Sequence, residues 1–170
     1  MYLSPHVILS GRLYAAPEGV AGIRTTTAIM RQMVNEWRTD PRMVSAARNI
    51  VFLEPAKDEE SEARAIFRFM QDRIRYVRDV LNVETVATPL ATLRTRSGDC
   101  DDHVALMATL LEAIGFPTRF VVTGYEQPEV YEHVYLQVLV NGQWVSADST
   151  EPDAFGWEAP DAVAIMVERV

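Results

Sequence analysis

The residues best suited to chemistry are the single cysteine, Cys100, and two of the three histidines, His103 and His133. Cys100 lies four residues before Val104 on the apolar stripe of a helix read over roughly Asp101 to Ile114, so it stands at the helix entrance. Unpaired backbone N–H groups and the positive end of the helix dipole favour a thiolate there, and Gly98 lets the chain turn tightly into the helix. Asp99, Asp101 and Asp102 act the other way, surrounding the sulfur with negative charge and raising its pKa. A histidine able to become imidazolium beside the thiol would offset them. The plainer alternative is a small core hydrophobe on an apolar stripe.

His133 is placed by a hairpin. Asn141-Gly142, flanked by alternating apolar residues, is the strongest short hairpin signal in the chain. Counting back from that turn sets Val140 against Gln143, Tyr135 against Asp148 and His133 against Thr150. His133 and Asp148 are then diagonal neighbours on one face, ~7–8 Å apart across the hairpin, less between Cβ atoms, and close enough for imidazole and carboxylate to bond. A carboxylate on one ring nitrogen fixes the tautomer and frees the other as a general base. His103, three residues after Cys100, is the rival base, although it lacks an orienting carboxylate and points down a buried helix. Asp99, Cys100, Asp101, Asp102 and His103 could in principle ligate a metal, but consecutive helical residues diverge and no second Cys/His pair stands at zinc spacing. The acids are better read as caps or as partners of Arg94 and Arg96. G-x-S-x-G, P-loop and G-x-G-x-x-G motifs are absent, so neither serine catalysis nor phosphate binding is supported and no cofactor or metal is expected.

Helices must carry the first half. Met30, Met33, Val34 and Trp37 recur at helical spacing after the threonines at 25 to 27. Asp40-Pro41 opens a second helix that stops before Pro55, and Asp58-Glu59-Glu60 precedes a third whose stripe is Ala63, Ile66, Phe67, Met70 and Ile74. These apolar stripes read as core. Gly115 and Pro117 end the fourth, buried helix, after which the period falls to two: strands over Thr118–Tyr125, Tyr131–Val140, Gln143–Ser149 and Ala162–Val170. Helices followed by antiparallel strands predict an α+β domain.

At 170 residues and 19.1 kDa, with 48% hydrophobic and 24% charged residues, the chain is long enough for one core and reads as one domain, residues 1–170. Net charge −8 repels phosphate backbones and anionic lipid, so neither nucleic acid nor membrane is an expected partner. Fifteen arginines stand against the single Lys57, and Arg64, Arg68, Arg73, Arg75 and Arg78 share one stretch that reads as a solvated face. A lone cysteine requires no oxidising compartment. The start lacks a basic n-region and no apolar run reaches the ~18 residues of a membrane span, so a cytoplasmic protein is expected. Residues 1–24 give weak signals and read as an N-terminal arm that could cover the site.

The stretch Arg96-Ser97-Gly98-Asp99-Cys100-Asp101-Asp102, then Gly115-Phe116-Pro117-Thr118-Arg119, Gly124-Tyr125, His133-Val134-Tyr135, Trp144 and Asp148-Ser149-Thr150 resembles the transglutaminase-like cysteine peptidase superfamily. The resemblance runs from about residue 76 to 150. It implies a papain-like fold and a Cys-His-Asp triad, with Cys100 as nucleophile, His133 as general base and acid, and Asp148 as its orienter. Between Arg75 and Cys100 no Trp or Gln is available to bind an oxyanion, which leaves the Cys100 backbone N–H, with Tyr76, Asn82 or Thr88 as further candidates. The function expected is thiol-dependent acyl transfer on a peptide or protein amide, with hydrolysis favoured over transglutamination. The alternative is a catalytically idle member serving as a structural or scaffold component of a larger assembly such as a phage particle, which would make it virion-associated.

Overall fold

The computed structural model describes residues 6–9, 12–15, 19–78 and 84–170. Two short antiparallel strands, β1 (His6–Leu9) and β2 (Arg12–Ala15), precede helices α1 (Val20–Trp37), α2 (Pro41–Val51) and α3 (Glu59–Arg73). The expected arm over residues 1–24 therefore contains strands and the first turn of α1. That helix begins earlier than its threonines suggest because Thr25 Oγ1 bonds back to the Ala21 carbonyl (2.9 Å) and Thr27 Oγ1 to that of Arg24 (3.2 Å). Hydroxyls satisfied one turn back ride inside a helix instead of capping it. Asp40 does cap α2, its Oδ1 accepting from the Arg42 N–H (2.8 Å) with Pro41 as first helical residue. Asp58 caps α3 through Ser61.

The middle of the chain winds through β3 (Arg75–Tyr76), β4 (Glu84–Val86), α4 (Pro89–Thr95) and β5 (Ser97–Gly98) into α5 (Cys100–Glu112). β4 pairs parallel with β1, and β3 parallel with β5, which sets Tyr76 beside Gly98. Every residue of α5 from Asp101 to Leu111 is buried. Full burial of Leu106, Met107 and Leu110, at about 1.5–3 kcal/mol each, anchors this helix among the others.

Four strands follow, β6 (Thr118–Gly124), β7 (His133–Val140), β8 (Gln143–Ala147) and β9 (Ala164–Arg169), in the antiparallel order β8-β7-β6-β9. The hairpin register is the one expected, from Val140 against Gln143 to Leu136 against Ala147. Phe120, Val122, Val134, Leu136 and Val138 fill one face of the sheet and join the helices in a single apolar cluster. The other face carries Val121, Thr123, Tyr135, Gln137 and Ser146, with Arg119 lying 4.3 Å over the Trp144 ring. No helix among the described residues is long and apolar enough to cross a membrane.

Candidate active site

Cys100 is the first residue of α5, one step earlier than its apolar period indicated, and Asp99 is the cap, with its Oδ1 accepting from the Asp102 N–H (3.3 Å). Two contacts fix the approach to it. Asp102 Oδ1 accepts from the Ala87 N–H (2.7 Å), and the Val77 N–H donates to the Gly98 carbonyl (2.8 Å). Glycine is required at 98 for space, because a Cβ there would lie 2.4 Å from the Asp102 Cβ. The thiol is partly buried against the core cluster and faces the backbone N–H of Val134, the residue after His133. Sγ stands 3.9 Å from Asp101 Oδ1. Burial first, then the carboxylates of Asp101 and Asp99, push the thiol pKa well above its ordinary value, against the pull of the Val134 and Asp101 N–H groups. At neutral pH the sulfur is protonated.

His133 and Asp148 meet as the hairpin register requires. Nε2 of His133 lies 2.6 Å from Asp148 Oδ2. An ionised carboxylate only accepts, so Nε2 carries the proton and Nδ1 is the nitrogen left to accept one. The second carboxylate oxygen is held as well: Oδ1 accepts from the Thr150 N–H (3.1 Å) and hydroxyl (2.7 Å). Burial alone would raise the Asp148 pKa, but the hydrogen bond and charge of His133 and the two Thr150 donors carry it below the ordinary value. Thr150 was absent from the sequence reading as a site residue. Its signal was present in Asp148-Ser149-Thr150, a carboxylate two residues ahead of an N–H in an Asx-turn.

The rival base lies elsewhere. His103 is 1% exposed, with Nδ1 3.1 Å from Ser149 Oγ, and its buried Nε2 makes no hydrogen bond of ordinary geometry. Burial pushes its pKa down, against the Arg75 backbone and the Asp148 charge, so it stays neutral. Of the three oxyanion candidates, Thr88 caps α4 by accepting from the Ala91 N–H, and Asn82 lies outside the described residues. Tyr76 pairs with Gly98, two residues before the nucleophile, and its ring meets that of His103 edge-on at 6.1 Å; burial, then the charges of Cys100 and Asp99, raise its pKa. A cavity of about 440 Å³ is lined among others by Arg75, Tyr76, His103, Ser149 and Thr150, next in the chain to Asp148, while Cys100 and His133 are not part of its lining. A larger hollow of about 770 Å³ lies between α2, α3 and α4, and none of the chemical groups lines it.

The field at the sulfur can be tested directly. Asn caps helices as well as Asp, so Asp99→Asn should keep the start of α5 while removing one of the charges that raise the thiol pKa. The midpoint of iodoacetamide alkylation against pH should move to lower pH. An unmoved midpoint would show that Asp99 exerts no field at Cys100.

Comparison with known proteins bears on the fold and the family. No curated protein is significantly similar to the chain in sequence. Among solved structures, a candidate cysteine protease from Cytophaga hutchinsonii aligns at TM-score 0.55 and 19% identity over 77% of this chain and 47% of its own. A candidate protease from Parabacteroides distasonis aligns at TM-score 0.62 and 11% identity, over 84% of this chain and 32% of its own. At such identities the likeness is one of fold, and the chain spans about half of the first protein and a third of the second. The sequence profile of the transglutaminase-like superfamily matches residues 45–149, more than half the chain and the span that holds α3, α5, the hairpin and Asp148. By that match, the chain belongs to the transglutaminase-like superfamily.

Proposed function

We propose that the protein is a thiol-dependent acyl-transfer enzyme that cleaves a peptide or protein amide. In this reading Cys100 attacks the carbonyl carbon while His133 Nδ1 takes the thiol proton. The C–N bond then breaks as that proton passes to the departing amine, leaving a thioester. Water, deprotonated by the same imidazole, releases the acid and regenerates the thiol. Hydrolysis is preferred to transfer onto a second amine. Because the resting thiol is protonated, the proton must move as attack occurs, which gives the base a larger part than in a site with a preformed thiolate.

The observation that carries this reading is the His133 to Asp148 bond of 2.6 Å, on a strand whose next N–H faces the sulfur. Tyr76 and the Cys100 backbone N–H are the groups proposed to receive the developing oxyanion, and the adjoining cavity is proposed to take part of the substrate. The test is labelling of Cys100 by a chloroacetamide-terminated peptide at pH 7. His133→Ala should label about tenfold more slowly than wild type while remaining folded. Equal labelling would favour the second reading, an idle fold kept as a structural component of a larger assembly.

A further inference from the structure

The segment between β8 and β9 crosses from the helical side of the sheet to its far face and is held at each stage. Gln71 Nε2 donates to the Glu151 (2.7 Å) and Asp153 (2.9 Å) carbonyls, and Phe155 packs on Phe67 with ring centroids 5.5 Å apart. The Gly156 N–H donates to the Ser146 carbonyl (2.8 Å). Glu158 is thereby delivered to the face that carries His133. Its Oε1 accepts from Gln137 Nε2 (2.5 Å), Ser146 Oγ and Tyr135 Oη (3.5 Å). Tyr135, Gln137 and Ser146 are all buried and Glu158 is exposed, so the carboxylate caps three buried donors at the protein surface, and its loss would hand them to water.

Tyr135 is two residues from His133, and the rings stack with centroids 6.3 Å apart and planes 23° from parallel. The phenol remains protonated, and hence a donor, since burial and then the Glu158 charge push its pKa up to about 12. Asp148 fixes one edge of the imidazole. A flat ring held at one edge can still tilt about that bond, and Tyr135 is its aromatic neighbour on the same face of β7.

We propose that Glu158 is a positioning residue for His133: by holding the Tyr135 hydroxyl it sets the ring against which the imidazole is aligned toward Cys100. This inference rests on the acyl-transfer reading, in which His133 is the base. Glu158 touches no reacting group. Its effect on proton transfer runs through the Tyr135 ring, so its loss should slow the His133-dependent reaction and spare the part that needs no base.

The test is the rate of Cys100 alkylation by chloroacetamide from pH 5 to 10 on the full chain, with melting temperatures measured alongside. Glu158→Ala should react several-fold more slowly near pH 7, by less than the roughly tenfold loss in His133→Ala, as expected for a misaligned base, and approach wild type toward pH 10 as the share of thiolate formed without the base grows. Glu158→Gln keeps an acceptor oxygen and should recover most of the loss. Tyr135→Phe cuts the same tie with the ring retained and should fall between, and it decides the matter if Glu158→Ala does not fold. Wild-type rates across the range in Glu158→Ala, or in Tyr135→Phe where that variant decides, alongside a slow His133→Ala, would overturn the proposal. Equal profiles for wild type and His133→Ala would instead remove the acyl-transfer reading on which it rests.

Discussion

Asp148→Asn should lower amide turnover by about 10²–10⁴-fold while leaving the melting temperature nearly unchanged. The size of the effect follows from which oxygen does what. Oδ1 is held by two donors from Thr150, at 2.7 and 3.1 Å, and Oδ2 receives the His133 Nε2 proton at 2.6 Å. An asparagine must keep its carbonyl toward Thr150, because an amide NH₂ there would face two hydrogens. The NH₂ is therefore turned on His133, where it can only donate. Nε2 then becomes the acceptor and the ring proton moves to Nδ1, the nitrogen assigned to receive the thiol proton. The base is present, in place and in the wrong tautomer.

Two measurements separate this from simple damage. The ¹⁵N shifts of His133 should report exchange of the protonated nitrogen from Nε2 to Nδ1, and turnover should fall in kcat more than in KM, since binding groups are untouched. Asp148→Ala is less diagnostic, because it removes the acceptor of the half-buried Thr150 donors and frees the ring at once. Full turnover in a folded Asp148→Asn chain would mean that His133 is not the general base.

The pairing of His133 with Asp148 was legible because a single local signal controls it. Asn141 and Gly142 both adopt positive φ, +49° and +78°, as a two-residue turn of the favoured handedness requires. Once that turn is fixed, a slip of one residue would send Val134, Leu136 and Val138 to the wrong face. The start of α5 was legible to within a residue from Gly98 and the acids that follow. What escaped lies in tertiary geometry. Thr88-Pro89 has the same cap and first-turn pattern as Asp40-Pro41, yet α4 spans only Pro89–Thr95 and shows no full apolar period. The pairing of β3 with β5, which sets Tyr76 beside Gly98, involves two residues on each side. Glu158 reaches its three donors along a coil without periodicity, so nothing in its neighbourhood announces a partner on β7.

Gly124→Ala should cost about 3 kcal/mol or more in stability, lowering the melting temperature by roughly 6–12 °C. Gly124 ends β6 opposite Ala164, and its conformation is one that any residue adopts, so the requirement for glycine is spatial. A Cβ there would lie 1.7 Å from the Val130 carbonyl oxygen, 2.8 Å from its carbon and 3.3 Å from the Tyr131 Cα. All three are backbone atoms, and no side chain can rotate out of the way. To regain an ordinary contact the Val130 carbonyl would have to retreat by roughly 2 Å. That movement strains the return into β7, where the Glu132 N–H donates to the Thr123 carbonyl (2.8 Å) and the Tyr125 N–H to Glu132 Oε2 (3.2 Å). The next residue is His133, so what remains folded should also lose about 10²-fold in turnover, the cost of displacing a reacting group by about an ångström. Gly115→Ala separates crowding from backbone strain: φ is +98° but no atom lies within 4 Å of the added carbon, so it should cost about 1–2 kcal/mol and spare activity. A Gly124→Ala chain that melts within about 2 °C of wild type would show that the segment entering β7 yields freely, and with it that the approach to His133 is not the rigid support this fold requires.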